Sequence, residues 1–274
     1  MEVINTLEGH DSSVYCLLYA VGLLYSSGHD RSIKVWKDLE CVTTIEGHIG
    51  TVYCLLYADG LLYSGGDMAI KVWKDFKCIK TLKGHANTVY CLLYADGLIY
   101  SGSYDRTIKV WKDNQLVATL GGHHGSIECL VYADGLLYSG SFDRTIKVWK
   151  DNKEVTTLEG HSAGVSCLVY TDGLLYSGGM NGVIKVWKDK HLVNMLEGHT
   201  GSVRCLVYTD GLLYSCSWDD TIKVWKDNKN VATLKGHTGT VSCLVYADGL
   251  LYSGGMNGVI KVWNEPGLLT KRAH

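Results

Sequence analysis

The sequence has little net charge, a single proline and no long apolar run. Its formal net charge is −2, so we do not expect the basic surface that is typical of nucleic-acid-binding domains. No apolar stretch approaches the roughly 20 residues that a membrane-spanning helix needs, and the polar residues after Met1 do not resemble a secretory signal. The proline, Pro266, follows the last strand-like segment and interrupts none. These absences favour a chain that binds neither nucleic acid nor a membrane.

A Gly-His pair recurs along almost the whole chain. Successive histidines of these pairs are 38 residues apart, except for one step of 37 between His48 and His85. Each pair is followed by a Gly-Leu turn sequence and then by Ile-Lys-Val-Trp. A fixed period of this length indicates copied supersecondary units that must stack on one another to bury their apolar faces. The seven histidines are His10, His48, His85, His123, His161, His199 and His237.

The third repeat shows the pattern of one unit. Apolar and β-branched runs at 88–94, 98–101, 107–111 and 116–120 are separated by turn sequences such as Asp96-Gly97. No window has helical periodicity. The sequence therefore predicts an all-β chain with four short antiparallel strands in every repeat.

Four-stranded units repeated at this length form the blades of β-propellers. The order Gly-His, Asp-Gly, Ser-Gly-Ser and Asp-Arg-Thr-Ile-Lys-Val-Trp resembles the WD-repeat family over residues 1–263. The chain departs from the family in having Trp-Lys-Asp where the naming dipeptide is expected, and in its shortened Ala-Asp-Gly turn. The resemblance implies a seven-bladed β-propeller that forms one domain over residues 1–263, followed by a short loose tail at 264–274.

The two ends of the chain complement each other. Residues 3–7 match the fourth strand of a repeat in register, but no other strands precede them. The last repeat has three strands and lacks the fourth. We therefore expect residues 3–7 to pair with the last blade and close the ring, which removes the exposed edges of an open array.

The cysteines are placed in a way that argues against disulfides. Equivalent positions in successive blades point in parallel from separate sheets and do not meet at disulfide distance. The remaining three, Cys41, Cys78 and Cys216, follow no Cys-x-x-Cys spacing. Unpaired thiols fit a reducing compartment, so we expect an intracellular, cytoplasmic protein. The seven repeated residues are Cys16, Cys54, Cys91, Cys129, Cys167, Cys205 and Cys243.

The repeated histidines invite three interpretations. A metal site needs ligands that converge in one coordination sphere, whereas histidines 38 residues apart on separate blades lie on a ring. A Ser-His-Asp catalyst needs one exposed nucleophile, and seven identical copies do not fit one active site. The third interpretation is structural. We therefore expect no catalytic residue, no metal and no cofactor.

The resemblance to the WD-repeat family implies that each histidine joins a buried hydrogen-bonded tetrad with a strand Ser, a turn Asp and the Trp. A buried indole N–H needs an acceptor, and a fully satisfied network specifies one arrangement. Two copies have Asn181 or Asn257 in place of the Asp, which removes a charge-assisted bond. In the second copy the turn is one residue shorter, so we expect Asp67 to fall short of His48. The complete tetrads are His10/Ser26/Asp30/Trp36, His85/Ser101/Asp105/Trp111, His123/Ser139/Asp143/Trp149 and His199/Ser215/Asp219/Trp225.

Two positions differ between the copies in character as well as in size. One precedes the turn Asp or Asn, and the other lies early in the first strand. In a four-stranded antiparallel blade both lie at the same end, around the mouth of the central channel. Aromatic residues and Arg dominate interaction hot spots, and Met adapts to varied partners, although exposed turn positions also drift. The predicted binding residues are Tyr15, His29, Tyr53, Tyr90, Tyr104, Glu128, Phe142, Met180, Arg204, Trp218 and Met256.

Together these features predict a non-catalytic, monomeric scaffold that binds a protein or peptide at this end of the ring, a mode that is common in the WD-repeat family. The near-identity of segments such as 178–184 and 254–260 supports an alternative. In that alternative the repeats were amplified recently, or were engineered by a consensus or ancestral approach, and have no evolved partner. A third hypothesis is an enzyme that uses the channel as its active site. It is remote, because no nucleophile or acid pair stands outside the repeat pattern.

Overall fold

The strands follow one another along the chain as a series of hairpins. In the computed structural model, which describes residues 1–264, there are 28 β-strands, and these form seven four-stranded sheets. All strand pairs are antiparallel, as in the third sheet. No helix long and apolar enough to cross a membrane occurs in this part of the chain. Apart from Asn264, the predicted tail at 264–274 lies outside the described residues.

Each sheet is one blade, and we call its strands a to d in the order in which they pair. Blade 1 contains β2 (Val14–Ala20), β3 (Leu23–Gly28), β4 (Ile33–Lys37) and β5 (Glu40–Ile45); blade 2 contains β6 (Cys54–Ala58), β7 (Leu61–Gly65), β8 (Ala69–Lys74) and β9 (Lys77–Lys83). Blade 3 contains β10 (Val89–Ala95), β11 (Leu98–Ser103), β12 (Ile108–Lys112) and β13 (Gln115–Leu120); blade 4 contains β14 (Ile127–Ala133), β15 (Leu136–Ser141), β16 (Ile146–Lys150) and β17 (Lys153–Leu158). Blade 5 contains β18 (Val165–Thr171), β19 (Leu174–Gly179), β20 (Ile184–Lys188) and β21 (His191–Leu196); blade 6 contains β22 (Val203–Thr209), β23 (Leu212–Ser217), β24 (Thr221–Lys226) and β25 (Lys229–Lys235). Blade 7 contains β26 (Val241–Ala247), β27 (Leu250–Gly255), β28 (Ile260–Trp263) and, as its strand d, β1 (Val3–Leu7).

The hairpin between strands a and b depends on a tight two-residue turn. In blade 3, Asp96 and Gly97 have φ angles of 50° and 73°. Two successive residues with positive φ match the right-handed twist of the strands on either side, and Asp and Gly tolerate that conformation. Blade 1 has Val21 at the Asp position with a φ of 49°, which is unusual for a β-branched side chain.

The apolar core lies between blades. Strand a of each blade contacts strand a of the next one, so these strands surround the central axis. In one cluster, Tyr100 and Ile108 of blade 3 pack with Ile127 and Trp149 of blade 4. Because a blade buries each face against a different neighbour, no blade has a complete core by itself.

The N-terminal strand closes the ring, as the sequence predicted. In β1, Val3 pairs with Trp263 and Leu7 pairs with Ile260 of β28. Leu7 is buried in the same cluster as Ile260 and Trp36, which belongs to blade 1. The prediction of an all-β, seven-bladed propeller with four antiparallel strands per blade is thereby confirmed.

Candidate functional site

The repeated histidines lie in series of buried hydrogen bonds within the blades. In blade 3, Trp111 Nε1 donates to Ser101 Oγ at 2.8 Å, and Ser101 Oγ lies 2.7 Å from His85 Nε2. His85 Nδ1 lies 2.7 Å from an oxygen of Asp105. An indole N–H only donates and an ionised carboxylate only accepts. The protons therefore run from Trp to Ser, from Ser to His Nε2, and from His Nδ1–H to Asp.

Burial and hydrogen bonding together determine the charge states of the histidine and aspartate in this tetrad. Burial lowers the pKa of His85, although Asp105 opposes the shift. Burial by itself raises the pKa of Asp105, but hydrogen bonds from Thr107 and His85 outweigh it and hold that pKa at about 2. At neutral pH the histidine is therefore uncharged and the aspartate ionised.

The tetrads of blades 1, 4 and 6 have the same contacts as that of blade 3. Their serines, Ser26, Ser139 and Ser215, are completely buried, with 0% of their surface exposed. None of these three serines lines the cavity described below. They belong to the framework of the blade and are separate from the predicted binding residues. In blade 1 the bonds are Trp36 Nε1 to Ser26 Oγ at 2.8 Å, Ser26 Oγ to His10 Nε2 at 2.7 Å and His10 Nδ1 to Asp30 at 2.6 Å. In blade 4 they are Trp149 Nε1 to Ser139 Oγ at 2.8 Å, Ser139 Oγ to His123 Nε2 at 2.8 Å and His123 Nδ1 to Asp143 at 2.7 Å. In blade 6 they are Trp225 Nε1 to Ser215 Oγ at 2.8 Å, Ser215 Oγ to His199 Nε2 at 2.7 Å and His199 Nδ1 to Asp219 at 2.7 Å.

The shortened turn of blade 2 corrects an expectation from the sequence. Asp67 does not fall short, because its Oδ1 lies 2.5 Å from His48 Nδ1. The turn passes close to the histidine through Gly66, where a Cβ atom would lie 3.2 Å from His48 Nδ1 and 2.5 Å from the Thr51 carbonyl oxygen. The missing residue is therefore accommodated by a glycine, and the fifth Asp-containing tetrad is complete.

The two Asn blades leave their histidines with one unpaired nitrogen. Among residues 1–264, His161 Nδ1 and His237 Nδ1 are buried and have no hydrogen-bond partner. Asn181 instead turns its amide nitrogen to Ser162 Oγ at 2.9 Å. Burial, with a smaller contribution from the charge of Lys185, lowers the pKa of His161 to about 4. The described contacts of these two blades contain no charge-assisted bond to His Nδ1, which is the bond that the sequence predicted they would lose.

A β-bulge in strand a explains why one varying position faces the channel. In blade 6 the register shifts between Val203 and Cys205, so Arg204 has no partner directly across the sheet. The same shift occurs in the five other blades whose strand a begins at the equivalent residue. A bulge re-aims the side chain of the extra residue. The six residues at these shifts line one cavity at the channel, as does the equivalent Tyr53 of blade 2: Tyr15, Tyr90, Glu128, Ser166, Arg204 and Ser242.

A backbone hydrogen bond brings the second varying position to the same end of the blade. The Trp218 amide donates to the Ser202 carbonyl, two residues before the bulge, at 3.0 Å. Equivalent bonds of 2.8–3.0 Å occur in the other blades that have this residue. The turn between strands b and c is thereby attached to the loop that enters strand a. Both varying sets therefore lie at one end of the ring.

These residues surround one cavity of about 630 Å³. Ten of the eleven predicted binding residues line it, and the equivalent Ser166 and Ser242 line it as well. His29 is the exception, since it lines a different depression together with Asp11 and Arg31. Its Nδ1 lies 3.5 Å from Ser12 Oγ.

One wall of the cavity is aromatic. The ring centroids of Tyr15 and Tyr53 are 4.9 Å apart, and those of Tyr53 and Tyr90 are 5.0 Å apart. Tyr104 meets Tyr90 edge-on at 6.1 Å. Burial, followed by the negative charge of Glu128, raises the pKa of Tyr90 to about 12. These neutral rings give blades 1 to 3 a continuous surface for apolar groups or cations.

The other wall, from blades 4 to 7, combines the large apolar side chains of Phe142, Met180, Trp218 and Met256 with charged and hydroxyl groups. Burial raises the pKa of Glu128, while a hydrogen bond from Ser126 and the charge of Arg204 act against that shift. Arg204 lies over the Trp218 ring at 5.5 Å from its centroid. The Ser166 and Ser242 hydroxyls donate to the carbonyls of Val203 and Val14 in the neighbouring blades. These two serines therefore bridge blades, whereas Glu128 and Arg204 carry charges on this wall of the cavity.

Sequence comparison between copies missed several cavity residues. Ser202 and Ser126 were not recognised because most copies have Ser or Thr at that position, so it does not vary in character. Arg106 and His124 lie in flanking turn and loop segments and line the same cavity, as does Gly125. Within residues 1–264, no three His, Cys, Asp or Glu side chains come together as a metal site.

Comparison with known proteins agrees with this architecture. The model of the WD domain, G-beta repeat, matches seven times, at residues 1–37, 39–74, 76–112, 114–150, 152–188, 190–226 and 228–264. Among solved structures, the chain is similar to the WD40 beta propeller domain of Doa1, with a TM-score of 0.88, 24% identity and 97% of each chain covered. No curated protein sequence matches. The repeat matches span almost all of the chain, which therefore belongs to the WD40 family of β-propellers.

Proposed function

We propose that this chain is a non-catalytic module that holds a peptide, or a loop of a protein partner, in the cavity at the channel mouth. WD40 propellers are typically protein-interaction scaffolds. The observation that carries the proposal for this chain is the convergence of ten of the eleven predicted binding residues on one cavity, while most of the tetrads around it repeat. A volume of about 630 Å³ is within the usual range for ligand sites, about 300–1,000 Å³.

Exposed aromatic side chains at the cavity support this proposal. Tyr104, Phe142 and Trp218 are 54%, 60% and 51% exposed. Single exposed apolar residues are ordinary, but clusters mark binding surfaces. Aromatic anchors around a pocket are typical of interaction hot spots.

The alternative without an evolved partner rests on the similarity of the copies themselves. Residues 178–184 and 254–260 are identical in sequence, and the corresponding Met180 and Met256 line the same cavity. A chain amplified recently or built by a consensus approach has the same framework. The two proposals differ in whether the cavity selects a ligand.

Alanine substitution of Tyr104, Arg204 and Trp218 together tests the proposal. We expect this variant to lose partner capture in pulldowns from a cell lysate while its unfolding free energy stays close to that of the unchanged protein. Phe76→Ala is the matched control, since Phe76 is also exposed but lies in the turn between β8 and β9, at the opposite end of the blade. Capture that persists in the triple variant, or that is lost equally in the control, would contradict the proposal.

A further inference from the structure

Two hydrogen-bond donors at the cavity have no acceptor. Arg204 Nε and Ser202 Oγ are both buried and have no partner among residues 1–264. Both residues line the cavity, and Ser202 is only 5% exposed. A buried donor without an acceptor has lost its hydration without compensation. Such groups are rare in folded proteins, and a ligand is one way to satisfy them.

The equivalent serines of blades 1 and 4 both have a hydrogen-bond acceptor. Ser13 Oγ donates to the Met256 carbonyl at 3.0 Å, and Ser126 Oγ donates to Glu128 Oε1 at 2.5 Å. Ser202 has the same place in blade 6 but lacks such an acceptor. The unsatisfied hydroxyl is therefore a property of blade 6 and not of the repeat.

Arg204 also has no carboxylate to pair with. Among the described residues it takes part in no ion pair. The nearby acid is Glu128, and its Oε1 already accepts from Ser126. The Trp218 ring lies against the guanidinium and restricts where it can point. A restrained cation with an unpaired N–H, in the same cavity as an unpaired hydroxyl two residues earlier in the chain, is suited to two oxygen acceptors of one group.

We infer, on the basis of the proposed function, that Arg204 and Ser202 form a subsite for a carboxylate, with Arg204 Nε–H and Ser202 Oγ–H each donating to one of its oxygens. The ligand's remaining groups lie toward the tyrosine wall, where Tyr53 and Tyr90 offer apolar surface. Arg106 also lines the cavity, but Glu128 is the charged group that interacts with Arg204, and its negative charge disfavours a dianion such as phosphate relative to a single carboxylate. The carboxylate belongs either to an acidic side chain or C-terminus of a peptide, or to a small free acid.

Selection from a random displayed heptapeptide library tests the peptide source. We expect the unchanged protein to enrich Asp- and Glu-containing peptides about tenfold or more over their amide counterparts, as a charge-assisted pair requires. Arg204→Gln is expected to abolish that preference, Ser202→Ala to reduce it, and Phe76→Ala to leave it unchanged. Peptides that bind without any acidic preference would overturn the carboxylate subsite while leaving the proposed function intact.

The small-acid source is tested by titrating butyrate, a monocarboxylate, while following the arginine Nε–Hε signals by NMR. The signal assigned to Arg204 by its loss in Arg204→Gln is expected to shift in the unchanged protein and to shift less in Ser202→Ala. A butyrate shift without any selected peptide supports the subsite and contradicts the proposed function. No shift and no acidic peptides, or a stronger response to inorganic phosphate than to butyrate at equal concentration, would overturn the carboxylate assignment.

Discussion

The tetrads and the cavity at the channel mouth lie at the same end of each blade but follow opposite rules. At the tetrads five blades have the same four residue types in the same contacts, as in Trp111, Ser101, His85 and Asp105. At the mouth the equivalent residues range from tyrosine to arginine. Residues that repeat are therefore explained by the fold, and residues that differ between copies are the better candidates for binding.

The largest effect is expected from opening the ring that holds both regions in place. Deletion of residues 1–7 removes β1, and with it Leu7, which is only 3% exposed. Loss of a buried leucine alone costs about 2–5 kcal/mol, and the deletion also leaves β28 as an unpaired edge. We expect a fall of at least that size in the unfolding free energy, or dimers formed through the edge, measured by urea denaturation and light scattering. Ile4→Ala, at an exposed position in the same strand, is the control, and a monomeric deletion variant of unchanged stability would contradict closure by β1.

A smaller effect distinguishes the Asn blades from the Asp blades through pH. His161 and His237 have pKa values lowered by burial to about 4, whereas an unfolded histidine has a pKa near 6.5. Between those values the unfolded chain binds more protons, so stability falls as the pH is lowered from 6.5 to about 4. Each histidine contributes on the order of 1 kcal/mol per pH unit within that window.

Replacing both asparagines by aspartate is expected to weaken this dependence. In Asn181→Asp/Asn257→Asp, a carboxylate can accept from His Nδ1–H, which raises the histidine pKa values and adds roughly 1–3 kcal/mol at neutral pH. Urea denaturation across pH 4 to 7 measures both effects. Asp219→Asn is the opposite control and is expected to make blade 6 behave like the Asn blades. Equal pH profiles for all three proteins would refute the assigned role of the aspartates.

The smallest effect concerns an irregular turn far from the cavity. Tyrosines of strand a donate to the turn Asp of the preceding blade, as Tyr94 does to Asp59 at 2.6 Å and Tyr132 does to Asp96 at 2.6 Å. Blade 1 has Val21 at that Asp position, so the equivalent Tyr57 of blade 2 has no carboxylate there. Val21→Asp relieves the valine at positive φ and supplies the acceptor, so we expect a gain of about 1 kcal/mol.

Chemical denaturation of Val21→Asp with and without Tyr57→Phe separates these two contributions. The gain is expected to be smaller in the double variant, because the hydroxyl that donates to the new carboxylate is gone. An identical gain in both backgrounds would mean that backbone relief alone is responsible.

Much of the fold could be predicted because it depends on local, repeated signals. The strands follow from alternation and turn residues, and the closure follows from the match of residues 3–7 to a fourth strand. Asp67 was misplaced because the expectation counted residues, whereas Gly66 lets the chain approach His48 closely. Ser202 was missed because most copies have Ser or Thr at its position, whereas what distinguishes it is an unpaired hydroxyl. Such a property depends on three-dimensional neighbours and not on residue type.

The most direct test of the central claim compares two variants of blade 6 for both stability and binding. Arg204→Ser/Trp218→Met introduces residues that blades 5 and 7 already have at the equivalent positions, and Ser215→Ala breaks the tetrad bonds to His199 and Trp225. We predict that the first variant keeps its unfolding free energy but loses partner capture. The second is predicted to lose roughly 1–3 kcal/mol while its folded fraction still captures the partner. Stability and capture that fall together in both variants would contradict the separation of framework and binding site.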